Sequence, residues 1–262
     1  MVYGAGTIDL CCVAKQTEEA YSKGSWRELL IEECGEPLVL VPSDFTHPYY
    51  NIDMGLVDDR RVFLRKTVFQ MFLIAHAAVK NFGLNLIVYD GWRSVELQEN
   101  LFWYYLKLFT APKFGLEDIF SKTRKNLEVK KVFLGLSAEV QEKLRKANCT
   151  YVSWPSVDLT KPSPHATGGS IDVWLQDETG TDHLGVPFDW MEENAGAFYH
   201  LKEVRPQFEK ESDVCMKREI LLTSMIEAGF SCLPSEIWHY NYGNQMDSLV
   251  TGRVAQYSYI EP

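Results

Sequence analysis

The stretch Ser163-Pro164-His165-Ala166-Thr167-Gly168-Gly169-Ser170-Ile171-Asp172-Val173-Trp174-Leu175 runs a glycine-softened loop into an apolar strand. Alternation along a strand places Ile171, Val173 and Leu175 on one face and Asp172 with Trp174 on the other. An aspartate in so apolar a run needs a partner, because burying an unpaired carboxylate is costly. A cation supplies one. His165 stands seven residues earlier, on a loop that can fold back to share that cation. Imidazole plus carboxylate is half of a zinc site.

The other half lies far down the chain, in Pro234-Ser235-Glu236-Ile237-Trp238-His239-Tyr240. Three-residue spacing sets Glu236 and His239 on opposite sides of a regular strand. Both face one ion only if Glu236 sits in the preceding turn or in a bulge. Pro234 favours such a turn. Two histidines and one acid leave a fourth coordination position for water, the composition of a catalytic zinc site, whereas structural sites are closed by four protein ligands.

Outward from these segments, Leu84 to Tyr89 alternates as a strand that ends at Asp90-Gly91, which puts Trp92 and Arg93 just past a strand end. Ser94 opens a helix to about Phe109 whose aromatic residues read as packing. Upstream, Leu64, Val68, Met71, Phe72, Ala75, Val79 and Phe82 recur at helical spacing, so a core helix is expected over 60–82, capped by Asp58 or Asp59 and stopped by Gly83. His76 within it reads as a packed, hydrogen-bonded imidazole. Residues 1–36 read as a peripheral extension with one short helix around Trp26 to Glu33, followed by a strand over Leu38 to Val41. Residues 110–155 carry a basic run and a capped helix from Ser137 to Asn148, and read as an insertion or lid. A further helix is expected over 216–228. The whole, residues 1–262, is read as one α+β domain: a central, mostly antiparallel sheet carrying the metal motifs, packed by helices.

Composition narrows the function. The 262 residues hold 26 basic and 36 acidic side chains, a net charge of −10, which repels phosphate backbones and makes nucleic acid a poor partner. An apolar share of 46% and a charged share of 24% are those of an ordinary folded domain. No apolar run approaches the roughly 20 residues of a membrane span. The start lacks a basic segment followed by an apolar one, so a cytoplasmic location is the expectation. Six cysteines without C-x-x-C spacing read as reduced and mostly structural. His47, His183 and His200 stand outside any motif and are assigned to surface or core.

Taken together, S-x-H-x-x-G-x-x-x-D (Ser163 to Asp172), E-x-W-H (Glu236 to His239), the D-G-W-R turn (Asp90 to Arg93), Phe188-Asp189, and Arg218 to Phe230 resemble the VanX-type D-alanyl-D-alanine dipeptidases. That zinc peptidase family also holds D,D-carboxypeptidases. The resemblance runs in the family's order over about residues 38–242. It implies that His165, Asp172 and His239 hold one Zn²⁺, that Glu236 is the general base, and that Arg93 stabilises the transition state. Asp189 would stand near the free amine of a small dipeptide, and Ser163 is placed with it in substrate binding. The family's commoner turn is D-G-Y-R-P, whereas Trp92 and Ser94 flank the arginine here, and the stretch between Arg93 and His165 is longer than in compact members.

The residue types suit these roles on their own terms. Zinc brings the pKa of a bound water to near 7 and polarises a carbonyl. Glu236 can take a proton from water and return it to the departing nitrogen, and Arg93 offers fixed positive charge to an oxyanion. Asp189 has a second reading, as a helix cap before Trp190 to Asn194. The expected function is hydrolysis of D-Ala-D-Ala. A D,D-carboxypeptidase of peptidoglycan peptides and a non-catalytic zinc-binding protein are the alternatives.

Overall fold

The computed structural model describes residues 8–180, 184–202 and 212–262. Its centre is a four-stranded antiparallel sheet, in the order β3 (Asn85–Asp90), β4 (Ser170–Gln176), β6 (Glu236–Asn241) and β5 (Ser231–Leu233). A two-stranded ribbon, β1 (Leu38–Leu40) with β2 (Phe63–Arg65), stands apart from it. The α+β class expected from the sequence is the observed one. Helices α1 (Leu10–Lys23), α2 (Tyr49–Ile52), α3 (Lys66–Lys80), α4 (Val95–Tyr105), α5 (Ala111–Lys113), α6 (Glu117–Ser121), α7 (Asn126–Leu134), α8 (Ala138–Asn148), α9 (Asp213–Glu227) and α10 (Gln245–Thr251) complete the order.

Strand β4 is the spine. Ile171, Val173, Trp174 and Leu175 are all fully buried, so both faces of the strand are covered. On one side α3 packs Val68, Phe72, Ala75 and Val79 into the core and meets α9. The long helix expected over 60–82 is shorter. Its first residues form β2, Arg65 stands at the N-cap in place of Asp58 or Asp59, and Phe82 lies past the end with 61% of its surface exposed. Leu64 carried the helical spacing but belongs to β2, because three residues are too few for periodicity to tell a strand from a helical turn. Ser94 and Ser137 cap α4 and α8 as their positions predict, each hydroxyl accepting from the backbone N–H three residues on. Beyond α4 the chain widens into a π-turn over Leu106–Thr110. Helix α9 starts three residues before the expected 216, capped by the Ser212 hydroxyl.

The N-terminal stretch differs most from its reading. A 14-residue helix, α1, capped by the Asp9 carboxylate, precedes Trp26, while Trp26–Glu28 makes only a 3₁₀ turn. Only Ala14 and Thr17 of α1 are buried. So thin an apolar stripe gives little periodic signal. This segment is tied down near the centre. Arg65, fully buried, places Nη1 and Nη2 each 3.0 Å from the Glu33 carboxylate oxygens. Its Nε donates to Thr167 O at 2.8 Å in the metal-motif loop, and its Nη2 to Ser258 O at 3.1 Å. One guanidinium thus joins the N-terminal segment, the His165 loop and the C-terminal tail. Among the described residues no helix is long and apolar enough to cross a membrane.

Candidate active site

The loop before β4 turns as a 3₁₀ segment, Pro164–Thr167, and ends at Gly168 with φ +68°. That left-handed conformation is what favours glycine here, and a Cβ would also push the Leu38 side chain aside and crowd the Arg65 backbone nitrogen at 3.3 Å. The turn swings the His165 ring back over the end of β3. His165 Nδ1 donates to Gly91 O at 2.7 Å and the Arg93 N–H donates to His165 O at 3.3 Å.

Asp172 and His239 form a register pair across β4 and β6. Two irregularities shape the rest. Between Val88 and Asp90 a register shift in β3 passes over Tyr89 and sets Asp90 opposite Asp172. Between the pairs Cys232–Tyr240 and Leu233–Glu236, β5 advances one residue while β6 advances four. This irregularity at the Pro234-Ser235 turn brings Glu236 round to the metal side, with Oε2 3.9 Å from His239 Nδ1. The condition that three-residue spacing imposed is met in this way.

His165 Nε2, His239 Nδ1 and the Asp172 carboxylate converge, with ligand atoms within 4.8 Å of one another and all three side chains buried. His165 Nε2 lies 3.2 Å from His239 Nδ1 and 3.5 Å from Asp172 Oδ2, and His239 Nδ1 lies 2.9 Å from Asp172 Oδ1. Ligand bonds of about 2.0–2.1 Å in a tetrahedron hold ligand atoms about 3.3 Å apart. The spacing fits one ion. The tautomers fit as well: the proton of His165 sits on Nδ1 toward Gly91 O, and the proton of His239 sits on Nε2 toward Asn241 Oδ1 at 3.1 Å. That leaves two imidazole lone pairs and a carboxylate aimed at each other, an arrangement a cation relieves. With the imidazoles protonated, burial still works against ionised Asp172, but their charge and hydrogen bonds outweigh it and hold its carboxyl well below the usual range, a role a metal cation would take over.

Arg93 is buried beside this cluster. Its Nε donates to Asp90 Oδ2 at 2.8 Å, Nη2 lies 2.6 Å from the same oxygen and 3.7 Å from Asp172 Oδ2, and Nη1 donates to Gln98 at 3.0 Å. The guanidinium carbon stands 5.1 Å from the Tyr50 ring centroid. Asp90 pays for this burial with a raised pKa, only partly offset by Arg93.

Asp189 occupies φ +63°, a left-handed conformation uncommon outside glycine, asparagine and aspartate. The helix over Trp190 to Asn194 that its second reading required does not form; Glu193–Ala195 is a 3₁₀ turn preceded by Glu192. Its carboxylate instead faces inward, accepting from Tyr50 Oη at 3.1 Å and from Tyr105 Oη. Burial pushes its pKa up to about 8 against the pull of the Tyr105 hydrogen bond, with Glu236 and Asp172 adding to the rise. Arg218 fixes the loop from below through the carbonyls of Leu184 at 2.9 Å, Asn194 at 2.8 Å and Gly196 at 3.3 Å.

A cavity of about 280 Å³ joins His165, Asp172, His239, Glu236, Arg93 and Asp189. Burial raises the Glu236 carboxyl to about 7, with His239 and Arg93 pulling against it. Ser163, by contrast, is buried outside the lining, its carbonyl accepting from the Ala166 N–H. His76 holds Leu86 O at 3.0 Å and His47 pairs with Asp53 at 2.6 Å, so neither joins the cluster. His200 is buried elsewhere, and His183 lies outside the described residues.

A family profile described as D-ala-D-ala dipeptidase, of the M15 peptidases, matches residues 110–259, more than half of the chain. The chain belongs to this M15 family. A D-alanyl-D-alanine dipeptidase from Synechocystis sp. is 24% identical over 233 residues, covering 82% of this chain and 85% of that protein. The matched part of this M15 peptidase contains the three candidate ligands, Glu236 and Asp189, whereas Arg93 lies upstream of it.

Several groups around the candidate site were not assigned from the sequence. The resemblance puts a tyrosine near the substrate amine in the His47-Pro-Tyr-Tyr-Asn51 run without choosing between Tyr49 and Tyr50, and it is Tyr50 that reaches Asp189; Tyr105 was one aromatic among many on α4. Asp90, Gln98 and Asn241 support Arg93 and His239, and nothing in their spacing announces it.

Proposed function

We propose that residues 1–262 act as one zinc-dependent dipeptidase that hydrolyses D-Ala-D-Ala to D-alanine. The reading is carried by three ligand atoms spaced for one ion, beside a partly buried carboxyl, in a cavity of about 280 Å³. That volume lies at the small end of ligand pockets and suits a dipeptide better than a chain.

His165 Nε2, His239 Nδ1 and Asp172 would hold Zn²⁺. When bound, the ion supplies Lewis acidity, making a water acidic near pH 7 and polarising the scissile carbonyl. Glu236, within reach of the ligand cluster, takes a proton from the attacking water and hands it to the departing nitrogen. Arg93, held by Asp90 and Gln98, meets the negative charge that develops on the carbonyl oxygen without having to reorganise. Asp189, braced by Tyr50 and Tyr105, receives the substrate ammonium, and a cation there draws its proton away and restores the carboxylate.

A second cavity, of about 460 Å³ and lined by Trp190, Met191, Phe198 and Tyr199, adjoins the first through Glu236 and Tyr151. It favours, as a second reading, a D,D-carboxypeptidase whose longer peptide extends there. Zinc content and D-alanine release from D-Ala-D-Ala and from a pentapeptide ending in the same pair decide between them. Release from the dipeptide alone supports the dipeptidase. Preference for the pentapeptide supports the carboxypeptidase, and cleavage of neither by the zinc-loaded protein defeats both.

A further inference from the structure

We infer that the N-terminal segment supplies the carboxylate end of the substrate site: Arg27, with the hydroxyl of Tyr21, receives the free C-terminal carboxylate of the dipeptide. The inference rests on the dipeptidase reading above and names the half of the substrate that reading leaves without a partner.

A free dipeptide is a zwitterion, and a small cavity that encloses it must answer both charges. Asp189 answers the ammonium. Of the cationic side chains lining the cavity, Arg93 is committed to Asp90 and Asp172, and the two histidines to Asp172 and the ion they surround. Arg27 is the remaining one, and among the described residues it has no carboxylate within ion-pair distance. The side chain it does bond is neutral: Nη2 donates to Ser153 Oγ at 3.0 Å. Its guanidinium carbon lies over the Trp26 ring, 4.1 Å from the centroid. A stacked guanidinium keeps its edge of N–H groups free, which suits it to a carboxylate held by two parallel bonds. Burial pulls its pKa below the ordinary arginine value, a cost that an incoming anion reverses.

Tyr21 is an independent observation on the same wall. It lines the same cavity, and its hydroxyl oxygen is buried with no hydrogen-bond partner among the described residues. A buried donor without an acceptor is costly. A ligand carboxylate is the acceptor it lacks. Both residues come from 1–36, which Arg65 and Glu33 lock against the His165 loop, so the wall they form is fixed relative to the metal ligands. With Asp189 reading the amine and Arg27 the carboxylate, the site selects a peptide with both ends free. An amidated or extended C-terminus would leave Arg27 unpaired.

The test uses zinc-loaded protein carrying Glu236→Gln, so that ligands are bound without turnover. Calorimetry compares D-Ala-D-Ala with D-Ala-D-alaninamide. Expected is a preference for the free acid of about 10- to 100-fold, the strength of a charge-assisted pair. Adding Arg27→Gln brings the two ligands to within about 3-fold, Arg27→Lys leaves an intermediate preference because the charge survives and the fork does not, and Tyr21→Phe weakens the acid alone. An unchanged preference in Arg27→Gln, or in Arg27→Lys should the former fail to fold, overturns the assignment. Equal binding of acid and amide before Arg27 is altered overturns it too, and leaves the dipeptidase reading to be judged on D-alanine release by the unaltered enzyme. If neither ligand binds and no D-alanine is released, both fall.

Discussion

Asp172 and His239 stand opposite each other on neighbouring antiparallel strands, with Oδ1 2.9 Å from Nδ1, while the second nitrogen of His239 is turned to Asn241. The strand pairing fixes the distance between two candidate ligand atoms, and Asn241, two residues on in the same strand as His239, fixes which nitrogen is free. Asp172→Asn removes one charged ligand and should lower zinc affinity by about 100-fold or more. Zinc should raise the melting temperature of the parent, since a ligand that binds only the folded state stabilises it, and leave that of Asp172→Asn nearly unmoved. Equal zinc retention by the two proteins after dialysis against a chelator would remove Asp172 from the ligand set.

Asn241 tests the layer behind the ligands. Its Oδ1 gathers Ser170 Oγ at 2.7 Å, Asn244 Nδ2 at 2.9 Å and His239 Nε2 at 3.1 Å. Asn241→Ala frees the His239 ring to turn and should cost about 10- to 100-fold in metal affinity. At saturating zinc most of the activity should return, which a role in the chemical step would not allow.

For Glu236→Gln the expectation is the reverse: zinc content equal to the parent and a rate lower by about 100- to 10,000-fold. Metal analysis with D-alanine release on the same sample gives the answer. Turnover at the parent's level would show that another group moves the proton.

Arg93 has a structural and a chemical share. Arg93→Ala leaves Asp90 buried without the guanidinium that holds it, which should cost about 3–5 kcal/mol of stability. Arg93→Lys keeps the charge beside Asp90 but loses the fork that also reaches Gln98, so it should fold while losing about 100- to 1000-fold in rate. A folded Arg93→Lys with full activity would confine Arg93 to stability.

Asp189 gives a pH signature. In the folded chain its carboxyl is raised to about 8 from an ordinary value near 3.8. Between these values the unfolded chain has lost the proton that the folded chain still holds, so this group's contribution to stability falls as pH rises toward 8 and is level above it. Asp189→Asn removes the group. The melting temperature of metal-free Asp189→Asn, measured against the parent, should gain with each step from pH 5 to pH 8, whereas dipeptide binding to the zinc form should weaken. A difference that stays constant with pH would place the Asp189 titration elsewhere.

What local chemistry dictates was legible in the sequence alone. Alternation marked β3 and β4, hydroxyl caps marked α4 and α8, and a carboxylate in an apolar strand with a histidine before it marked His165 and Asp172 as candidate ligands, which the fold brings together. These signals act over a few residues and survive without knowledge of the rest of the chain. Helix α1 and strand β2 were not legible, one because its buried stripe is two residues wide and the other because three residues carry no period.

Only the tertiary structure decided which nitrogen of each histidine points into the cluster, since that depends on the Gly91 carbonyl at the end of β3 and on the Asn241 amide, which sits two residues beyond His239 on β6 and is held in place by Ser170 and Asn244. It also decided that a bulge in β6 would bring Glu236 round, that Tyr50 and Tyr105 would meet on Asp189, and that Arg27 would reach a cavity whose other charges lie more than sixty residues away in sequence. The reason is physical: a residue's type and spacing set what it can bond, but a buried polar group bonds whatever the packing of distant segments puts within about 3 Å of it.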